Sequence, residues 1–419
     1  MADSLISLPA HSRTWPLLLI LLLTASILQA RTWRATPATG LGVIVSRAAA
    51  GDTVLVAAGV YHEDSVTVRR PLTLLGRPGA VLDGGGAGGH LLIVRADGVT
   101  VRGLTLRRCG VSYRADYAAL LAENVAGLRV EDCIFEDNFF AVYLAHCRNS
   151  QVRGNRIHAS GARETTSGNG VHLWHCRDME IADNQVAGHR DGIYLEFARG
   201  AVIRGNHSSG NLRYGLHFMF SDSCHYLENE FDRNGAGVAV MYSHWVEMSG
   251  NAFHDNWGPA SYGVLLKEIS DSVIRGNRFE RNTTGLHVEA SNRLHVFDNE
   301  FRRNGWALRL MANSTDGVYE HNRFLANAFD VATNGRQNYS LFRRNYWDRH
   351  RGYDLDRDGV GDAPFRPVSV FSHAVEEQGP ALVLLRSLFV DLLDMAERAF
   401  PLLTPVTLED TAPLMKEPS

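Results

Sequence analysis

Two methionines and a histidine stand out because their side chains are soft metal donors spaced by a regular interval. Met241 follows Met219 by 22 residues, and His217 precedes Met219 by two residues. Thioether sulfur and imidazole nitrogen are the donors that suit Cu(I), whereas Mg²⁺ or Ca²⁺ would require oxygen ligands. If Met219 and Met241 lie on neighbouring strands, they are about 5 Å apart and share one face with His217. The sequence therefore predicts a candidate Cu(I) site at His217, Met219 and Met241.

Two other functions fit the same row of side chains. Exposed methionines are also typical of protein-binding patches that hold no metal. A carbohydrate-active enzyme, whether a polysaccharide lyase, a hydrolase or an epimerase, would need a carboxylate pair or a base beside a cation. Glu196 and Glu289 are too far apart to form that pair, and Asp191 is equally well explained as a turn residue. We therefore expect a non-catalytic protein, with the enzyme as the alternative.

A second group of candidate ligands is rich in aspartate. Asp354, Asp356, Asp358 and Asp362 alternate with other residues around two glycines, an arrangement that lets a loop wrap oxygen ligands around a hard cation. The twelfth position of this loop is Phe365 rather than the bidentate glutamate of an EF-hand. The segment predicts either a calcium site or a turn closed by aspartate hydrogen bonds.

The elements that position these groups are indicated by an asparagine that recurs every 22 to 29 residues. A period of this length is typical of a solenoid, in which each unit packs only on its neighbours. Short Gly-apolar-x-apolar segments follow the asparagines, and their period of two predicts strands. We predict an all-β, right-handed parallel β-helix with coils of about 22 residues. The asparagines are Asn155, Asn184, Asn206, Asn229, Asn251, Asn277, Asn299, Asn322 and Asn345.

The repeat also assigns side chains to the inside and outside of the tube. Two residues after the later asparagines the chain carries an aromatic residue, which predicts an internal stack of Phe231, Phe253, Phe279, Phe301, Phe324 and Trp347. The asparagines are interpreted as structural, because their amides can bond to the next turn and they tolerate a left-handed corner. The variable residues of the strands point outward, and this places the Met/His group on the surface.

The two ends of the chain differ from the repeats. Residues 1–30 are predicted to be a signal peptide cleaved near Ala30, with a retained anchor as the alternative. We expect the β-helix over 31–378, with an N-terminal cap and the aspartate loop at 354–362. Residues 379–419 are predicted to form an amphipathic helix and an extended docking tail. Its apolar residues at helical spacing are predicted to bind a partner: Leu385, Phe389, Leu392 and Phe400.

The net charge and a missing nucleotide-binding motif limit the kinds of partner and subunit that the sequence predicts. A net charge of −4 argues against a nucleic-acid partner, for which a basic stripe is expected. The chain has no Gly-x-x-x-x-Gly-Lys-Ser/Thr motif, so an associated ATPase would be a separate subunit.

Several segments resemble a known family. Asn-Leu-Arg-Tyr-Gly-Leu-His-Phe-Met-Phe-Ser (Asn211 to Ser221), Gly-Val-Ala-Val-Met-Tyr-Ser (Gly237 to Ser243), the aspartate loop and the tail around 392–398 are similar to NosD, the periplasmic maturation factors of nitrous-oxide reductase. The resemblance covers nearly the whole chain after residue 30. It implies a non-enzymatic periplasmic factor that handles copper for the copper-sulfur centre of the reductase. The implied partners are an ABC transporter with ATPase and membrane subunits, a copper-chaperone lipoprotein and the reductase. Membrane association would come through the transporter, whose membrane subunit would bind the tail helix.

Overall fold

Each repeat of the sequence supplies one short strand to each of three parallel sheets, so the chain winds into a three-sided β-solenoid. The structure is a computed structural model that describes residues 30–400 and 407–418, apart from residues 87, 113, 114, 162, 336 and 386. Neighbouring coils stack by parallel pairing, as in Tyr214–Met219, which pairs with Asp191–Glu196 and with Ala236–Met241. The predicted all-β, parallel repeat fold is confirmed. The predicted signal peptide at 1–30 lies outside the described residues except for Ala30.

The three sheets, called A, B and C, contain 14, 13 and 12 strands. Sheet A is formed by Thr32–Ala35, Thr53–Val56, Thr73–Gly76, Thr100–Arg102, Arg129–Glu131, Gln151–Arg153, Glu180–Ala182, Val202–Arg204, His225–Leu227, Glu247–Ser249, Val273–Arg275, His295–Phe297, Val318–Glu320 and Leu341–Arg343. Sheet B is formed by Gly59–Tyr61, Ala80–Asp83, Thr105–Arg107, Ile134–Glu136, Arg156–His158, Gln185–Ala187, His207–Ser209, Glu230–Asp232, Ala252–His254, Arg278–Glu280, Glu300–Arg302, Arg323–Leu325 and Tyr346–Trp347. Sheet C is formed by Val66–Val68, Leu92–Val94, Ala118–Glu123, Phe140–Ala145, Val171–Trp174, Asp191–Glu196, Tyr214–Met219, Ala236–Met241, Tyr262–Lys267, Thr284–Glu289, Trp306–Leu310 and Phe329–Ala332.

Aromatic rings fill the tube behind sheet B. The centroids of Phe253, Phe279, Phe301 and Phe324 follow one another at 5.0, 4.7 and 5.0 Å, with rings within 18° of parallel. Trp347 ends the stack 4.0 Å from Phe324. Burying each ring stabilises the fold by about 1.5–3 kcal/mol. The stack also fixes the register, because a slip of one residue would turn every ring to the solvent.

The repeated asparagines form a buried ladder at the corner between sheets A and B. In a representative coil, Nδ2 of Asn229 donates to the carbonyl of Ile203 at 2.9 Å and to Oδ1 of Asn251 at 3.0 Å. The left-handed residue is the one before each asparagine, with φ of 55° at Glu228 and 66° at Gly250. The expectation that the asparagine itself adopts this conformation is therefore wrong. Asparagine is needed because its amide satisfies backbone groups that the corner leaves unpaired.

A second asparagine ladder lies at the corner between sheets B and C, five residues after the first-ladder asparagine in six consecutive coils. The backbone N–H of Asn234 donates to Oδ1 of Asn256 at 3.0 Å, and Nδ2 of Asn282 donates to the carbonyl of Phe253 at 2.8 Å. This ladder immediately precedes the strands of sheet C and so fixes where their outward side chains point. Its members are Asn211, Asn234, Asn256, Asn282, Asn304 and Asn327.

Short helices lie near both ends of the tube. Helix α1 (Leu41–Arg47) packs beside the first coil and buries Leu41, Ile44 and Val45. Helix α2 (Val370–Glu377), a 3₁₀ segment (Gly379–Leu384) and helix α3 (Leu388–Ala399) follow the last coil, and a short 3₁₀ turn spans Glu164–Thr166. Among the described residues, no helix is long and apolar enough to cross a membrane.

The helical segment packs on the outside of the last coils. Phe371, Val375 and Val390 form a small core with Phe329 of sheet C. We expected the β-helix to extend to residue 378, but helix α2 already begins at Val370. The Ser369 hydroxyl caps the first turn of this helix by accepting a hydrogen bond from the Ser372 N–H at 3.0 Å.

Residues 407–418 close the open end of the last coil. Oδ2 of Asp410 accepts hydrogen bonds from the backbone N–H and Nδ2 of Asn345, at 3.1 and 3.0 Å, and from Nε1 of Trp347 at 2.9 Å. Asp410 is fully buried. It therefore occupies the place that the next asparagine of the ladder would take. Residues 407–418, which belong to the predicted docking tail, thus contact the protein's own last coil, and docking of the tail on a partner stays a prediction.

Candidate functional site

The outer face of sheet C carries the residues predicted to bind a soft metal ion. Met219 and Met241 are register partners on adjacent strands, and His217 lies one outward position before Met219, beside Ala239. The structure thus brings the three residues onto one face in the predicted arrangement. Glu196 and Lys267 precede and follow the two methionines in the same outward column.

His217 is held in a pocket of polar and aromatic groups. Its ring is only 5% exposed and lies 5.0 Å from the Tyr194 ring and 4.8 Å from the Tyr214 ring. Its Nδ1 is 3.3 Å from Nη2 of Arg213 and 3.7 Å from Oδ2 of Asp191. Its Nε2 is buried without a hydrogen-bond partner among the described residues. An unsatisfied buried polar atom costs about 1–3 kcal/mol, and a bound metal ion would remove that cost.

Met219 and Met241 are both partly buried. The Oη atom of Tyr194 lies 4.0 Å from Sδ of Met219. Two thioethers and one imidazole form a donor set that suits Cu(I) and offers little to a hard cation. The residues present therefore have donor atoms that fit Cu(I).

Asp191 and Arg213 form a buried pair behind His217. Nε of Arg213 donates to Oδ1 of Asp191 at 2.8 Å, and Nη2 of Arg213 contacts Oδ2. Burial opposes ionisation of Asp191, but the hydrogen bonds from Arg213 and His217 outweigh it and lower the pKa of this carboxyl. The carboxylate is completely buried and already paired. It is thus placed to orient His217 rather than to meet a sugar substrate.

Two further histidines of the same outward column, His172 and His287, are neutral at pH 7. Burial lowers the pKa of His172 to about 3 and that of His287 to about 4. The His172 ring lies 4.5 Å from the Tyr143 ring and 4.7 Å from the Tyr194 ring. These two histidines therefore add no positive charge that would repel a cation at His217.

A ladder of exposed rings runs along the edge of this face. Its consecutive centroids are 5.2, 4.6, 5.1 and 4.9 Å apart, and the rings lie within 13° of parallel. Phe197 and Phe220 are 41% and 42% exposed. Sequence reasoning missed this ladder because its members are turn residues with positive φ. The signal was readable, since each ring directly follows an outward residue of sheet C. The ladder consists of His146, His175, Phe197, Phe220 and Tyr242.

The aspartate loop brings three of its four candidate ligands together. Carboxylate oxygens of Asp354, Asp356 and Asp358 lie within 4.8 Å of one another. The same carboxylates accept bonds from the loop itself: Asp354 from the Gly359 N–H at 3.0 Å, and Asp358 from the Val360 N–H at 2.7 Å. Asp362 instead accepts from the Leu355 N–H at 2.6 Å. This geometry suits the self-closed turn, and the calcium site stays a prediction.

The tail residues predicted to bind a partner divide into two groups. Leu385 is partly buried against the small core of the tail and lines a cleft of about 800 Å³ beside Trp306. Phe389, Leu392 and Phe400 are 60%, 55% and 66% exposed. The exposed group forms an apolar surface on α3, and Leu385 holds that helix against the solenoid.

Comparison with known proteins agrees with this geometry. Residues 158–355 match the family described as periplasmic copper-binding protein (NosD). The probable ABC transporter binding protein NosD of Pseudomonas aeruginosa is 32% identical, over 98% of this chain and 97% of the relative. A protein of the same description from Stutzerimonas stutzeri is 30% identical, over 86% of each chain. PfbA, a surface adhesin of Streptococcus pneumoniae, shares the fold, with a TM-score of 0.55 and 12% identity over 74% of this chain and 88% of that chain. Because the similarity to the first relative extends over nearly the whole of both chains, this chain belongs to the NosD family of periplasmic copper-binding proteins.

Proposed function

We propose that the protein is a non-catalytic periplasmic factor that receives Cu(I) as cargo on the outer face of sheet C and passes it on during maturation of the copper-sulfur centre of nitrous-oxide reductase. The description of the family as periplasmic and copper-binding supports the location and the cargo. Export would use the predicted signal peptide, cleaved near Ala30. The observation that carries the proposal is the register pair Met219 and Met241 beside His217.

The proposed site consists of three neutral ligands. Nε2 of His217 would bind the ion together with the two thioethers, and Nδ1–H would then turn to Asp191, now 3.7 Å away. A carboxylate that accepts the second ring N–H is the usual support of a metal-binding histidine. Without a thiolate, the site holds Cu(I) by soft donors alone, which suits an ion that has to be released.

The exposed ring ladder would serve the copper donor and the acceptor. Phe220 and Tyr242 directly follow the two methionines in the sequence, so an apolar strip borders the site. A copper-chaperone lipoprotein or the reductase could cover this strip and exclude water while the ion moves between ligands.

The exposed side of α3 would bind the membrane subunit of an ABC transporter, with the ATPase as a further subunit. The description of the two bacterial relatives as probable ABC transporter binding proteins supports this partner. Phe389, Leu392 and Phe400 supply the apolar contact area, and Leu385 positions the helix.

A catalytic role is the weaker alternative. Asp191 is buried and paired with Arg213, and Glu196 and Glu289 lie on strands separated by three others in sheet C. A glycosidase would need two carboxyl groups about 5–10 Å apart across the substrate.

The test of copper binding is a Cu(I) titration of the double variant Met219→Leu/Met241→Leu under reducing conditions, in competition with a chromophoric Cu(I) chelator. Changing groups that merely support metal ligands already costs 10–100-fold in affinity. Loss of two ligands is therefore expected to weaken binding by on the order of 100-fold or more.

The matched control is Met311→Leu, which changes a methionine at the end of the same sheet and should leave the affinity unchanged. Leucine keeps the size of methionine, so both variants should unfold at the temperature of the native protein. An unchanged Cu(I) affinity in the double variant would remove the site as proposed.

A further inference from the structure

A second group of metal-binding side chains lies on a different face, the outside of sheet B. Three neighbouring strands there present two outward positions each. His207 and Ser209 are outward on the first strand, Glu230 and Asp232 on the second, and Ala252 and His254 on the third. The two histidines thus occupy opposite corners of the grid, with the two carboxylates between them.

The four side chains already form two contacting pairs, and Nδ1 of His254 is in addition 3.0 Å from Oδ2 of Asp255. Nε2 of His207 is 2.6 Å from Oδ1 of Asp232, and Nε2 of His254 is 2.9 Å from Oε1 of Glu230. Ligand atoms of His207, Glu230 and Asp232 all lie within 4.8 Å of one another. Atoms this close can reach a common ion at 2.0–2.2 Å by small side-chain rotations.

Two small side chains border this cluster, and one of its carboxylates is held in a fixed position. The remaining corners of the grid hold Ser209 and Ala252, whose side chains are small. Asp232 is 1% exposed although it faces outward, so its position is fixed. Its Oδ2 contacts Nη2 of Arg233 at 2.7 Å, and this leaves Oδ1 as the atom directed at His207.

We propose that His207, Glu230, Asp232 and His254 form a binding site for a divalent transition-metal ion of the Zn²⁺ class. Two imidazoles and two carboxylates complete a tetrahedral set, and their two negative charges balance the ion. The site contains no sulfur donor, and its chemistry is therefore distinct from that of the Met/His face on sheet C. It does not depend on the copper-binding proposal.

The test uses the full mature chain and Zn²⁺ alone, with affinity measured by competition against a chromophoric chelator. We expect one equivalent of Zn²⁺ to bind, and His207→Gln or His254→Gln to weaken that binding by at least about tenfold. The His207 side chain is 42% exposed, so its replacement should not unfold the protein. Co²⁺ bound to the native protein should give the visible absorption of a tetrahedral ion, and His207→Gln should abolish it.

The control is His225→Gln on sheet A. His225 also pairs with a carboxylate, with Nδ1 3.1 Å from Oε2 of Glu247. Arg275 occupies that carboxylate, and no second histidine among the described residues contacts it. This variant should bind Zn²⁺ as the native protein does, and so should Met219→Leu/Met241→Leu. Equal affinity in the His207 variant and the native protein, or equal losses in the His207 and His225 variants, would overturn the proposal.

Discussion

Asp410→Ala tests whether the C-terminal segment is a structural cap. The Asp410 carboxylate is the acceptor for three donors of the last coil: two from Asn345 and one from Trp347. All three bonds are between 2.9 and 3.1 Å long, in a site closed to solvent. Alanine would leave the three donors buried and without an acceptor.

The expected loss of stability in Asp410→Ala follows from the three hydrogen bonds that the carboxylate accepts. Each buried donor left unsatisfied costs about 1–3 kcal/mol, so the lower limit for three donors is about 3 kcal/mol. A solenoid is stabilised by contacts between neighbouring coils, and damage at one end acts first on the last coil. A loss of about 3 kcal/mol corresponds to roughly a 100-fold increase in the open population of that coil.

Hydrogen exchange resolved by peptide mass spectrometry measures this directly. Amides of 341–347 should exchange about 100-fold faster in Asp410→Ala, whereas those of the central coils should be unchanged. The control is Glu409→Ala, because Glu409 makes only a 3.4 Å surface contact with Arg366 and should cost less than about 1 kcal/mol. Native protection of 341–347 in Asp410→Ala would refute the assignment of this segment as a cap.

Two further predictions concern pH and the tail. Burial raises the pKa of Asp330 to about 6 in the folded protein. Between about pH 4 and pH 6 the unfolded chain has released this proton but the folded protein still holds it, so the free energy of unfolding should fall as the pH rises through this range. Asp330→Asn should remove that slope in urea unfolding and add roughly 3 kcal/mol at pH 7; an unchanged slope would contradict the assignment. Phe389→Ser/Leu392→Ser should abolish co-purification with the transporter without lowering the unfolding temperature, whereas Leu355→Ser, on an exposed loop residue, should change neither. Retained complex in the double variant would exclude α3 as the docking surface.

Much of the fold was predictable because the repeat puts the same side chain in the same place on every coil. The aromatic residue two places after the asparagine identified the internal stack, and its position fixed which residues face outward. The second asparagine ladder was equally readable, since Asn211 and Asn234 each follow a first-ladder asparagine by five residues. It was missed because one asparagine per coil already explained the spacing.

The ends of the chain and the details of each site were not predictable in the same way. No repeat relates Asp410 to Asn345, so the sequence gives no register for a capping contact 65 residues away. Amphipathic spacing identified the apolar residues of α3 but could not separate the inward Leu385 from the outward Phe389. The side chains that contact the His217 ring were likewise not predictable, because these contacts depend on side-chain rotation. Strand pairing alone does not determine that rotation.

The repeat also accounts for how candidate metal ligands come together on the outer surface of the solenoid. The inward rings and the asparagine ladders determine the register, and the outward positions are left free to vary at little cost in stability. Residues about 22 apart in sequence thereby become neighbours about 4.8 Å apart. Each proposed site takes its ligands from successive coils, so neither site exists in the unfolded chain. Metal binding should therefore follow folding of these coils, and a bound ion should in turn resist their separation.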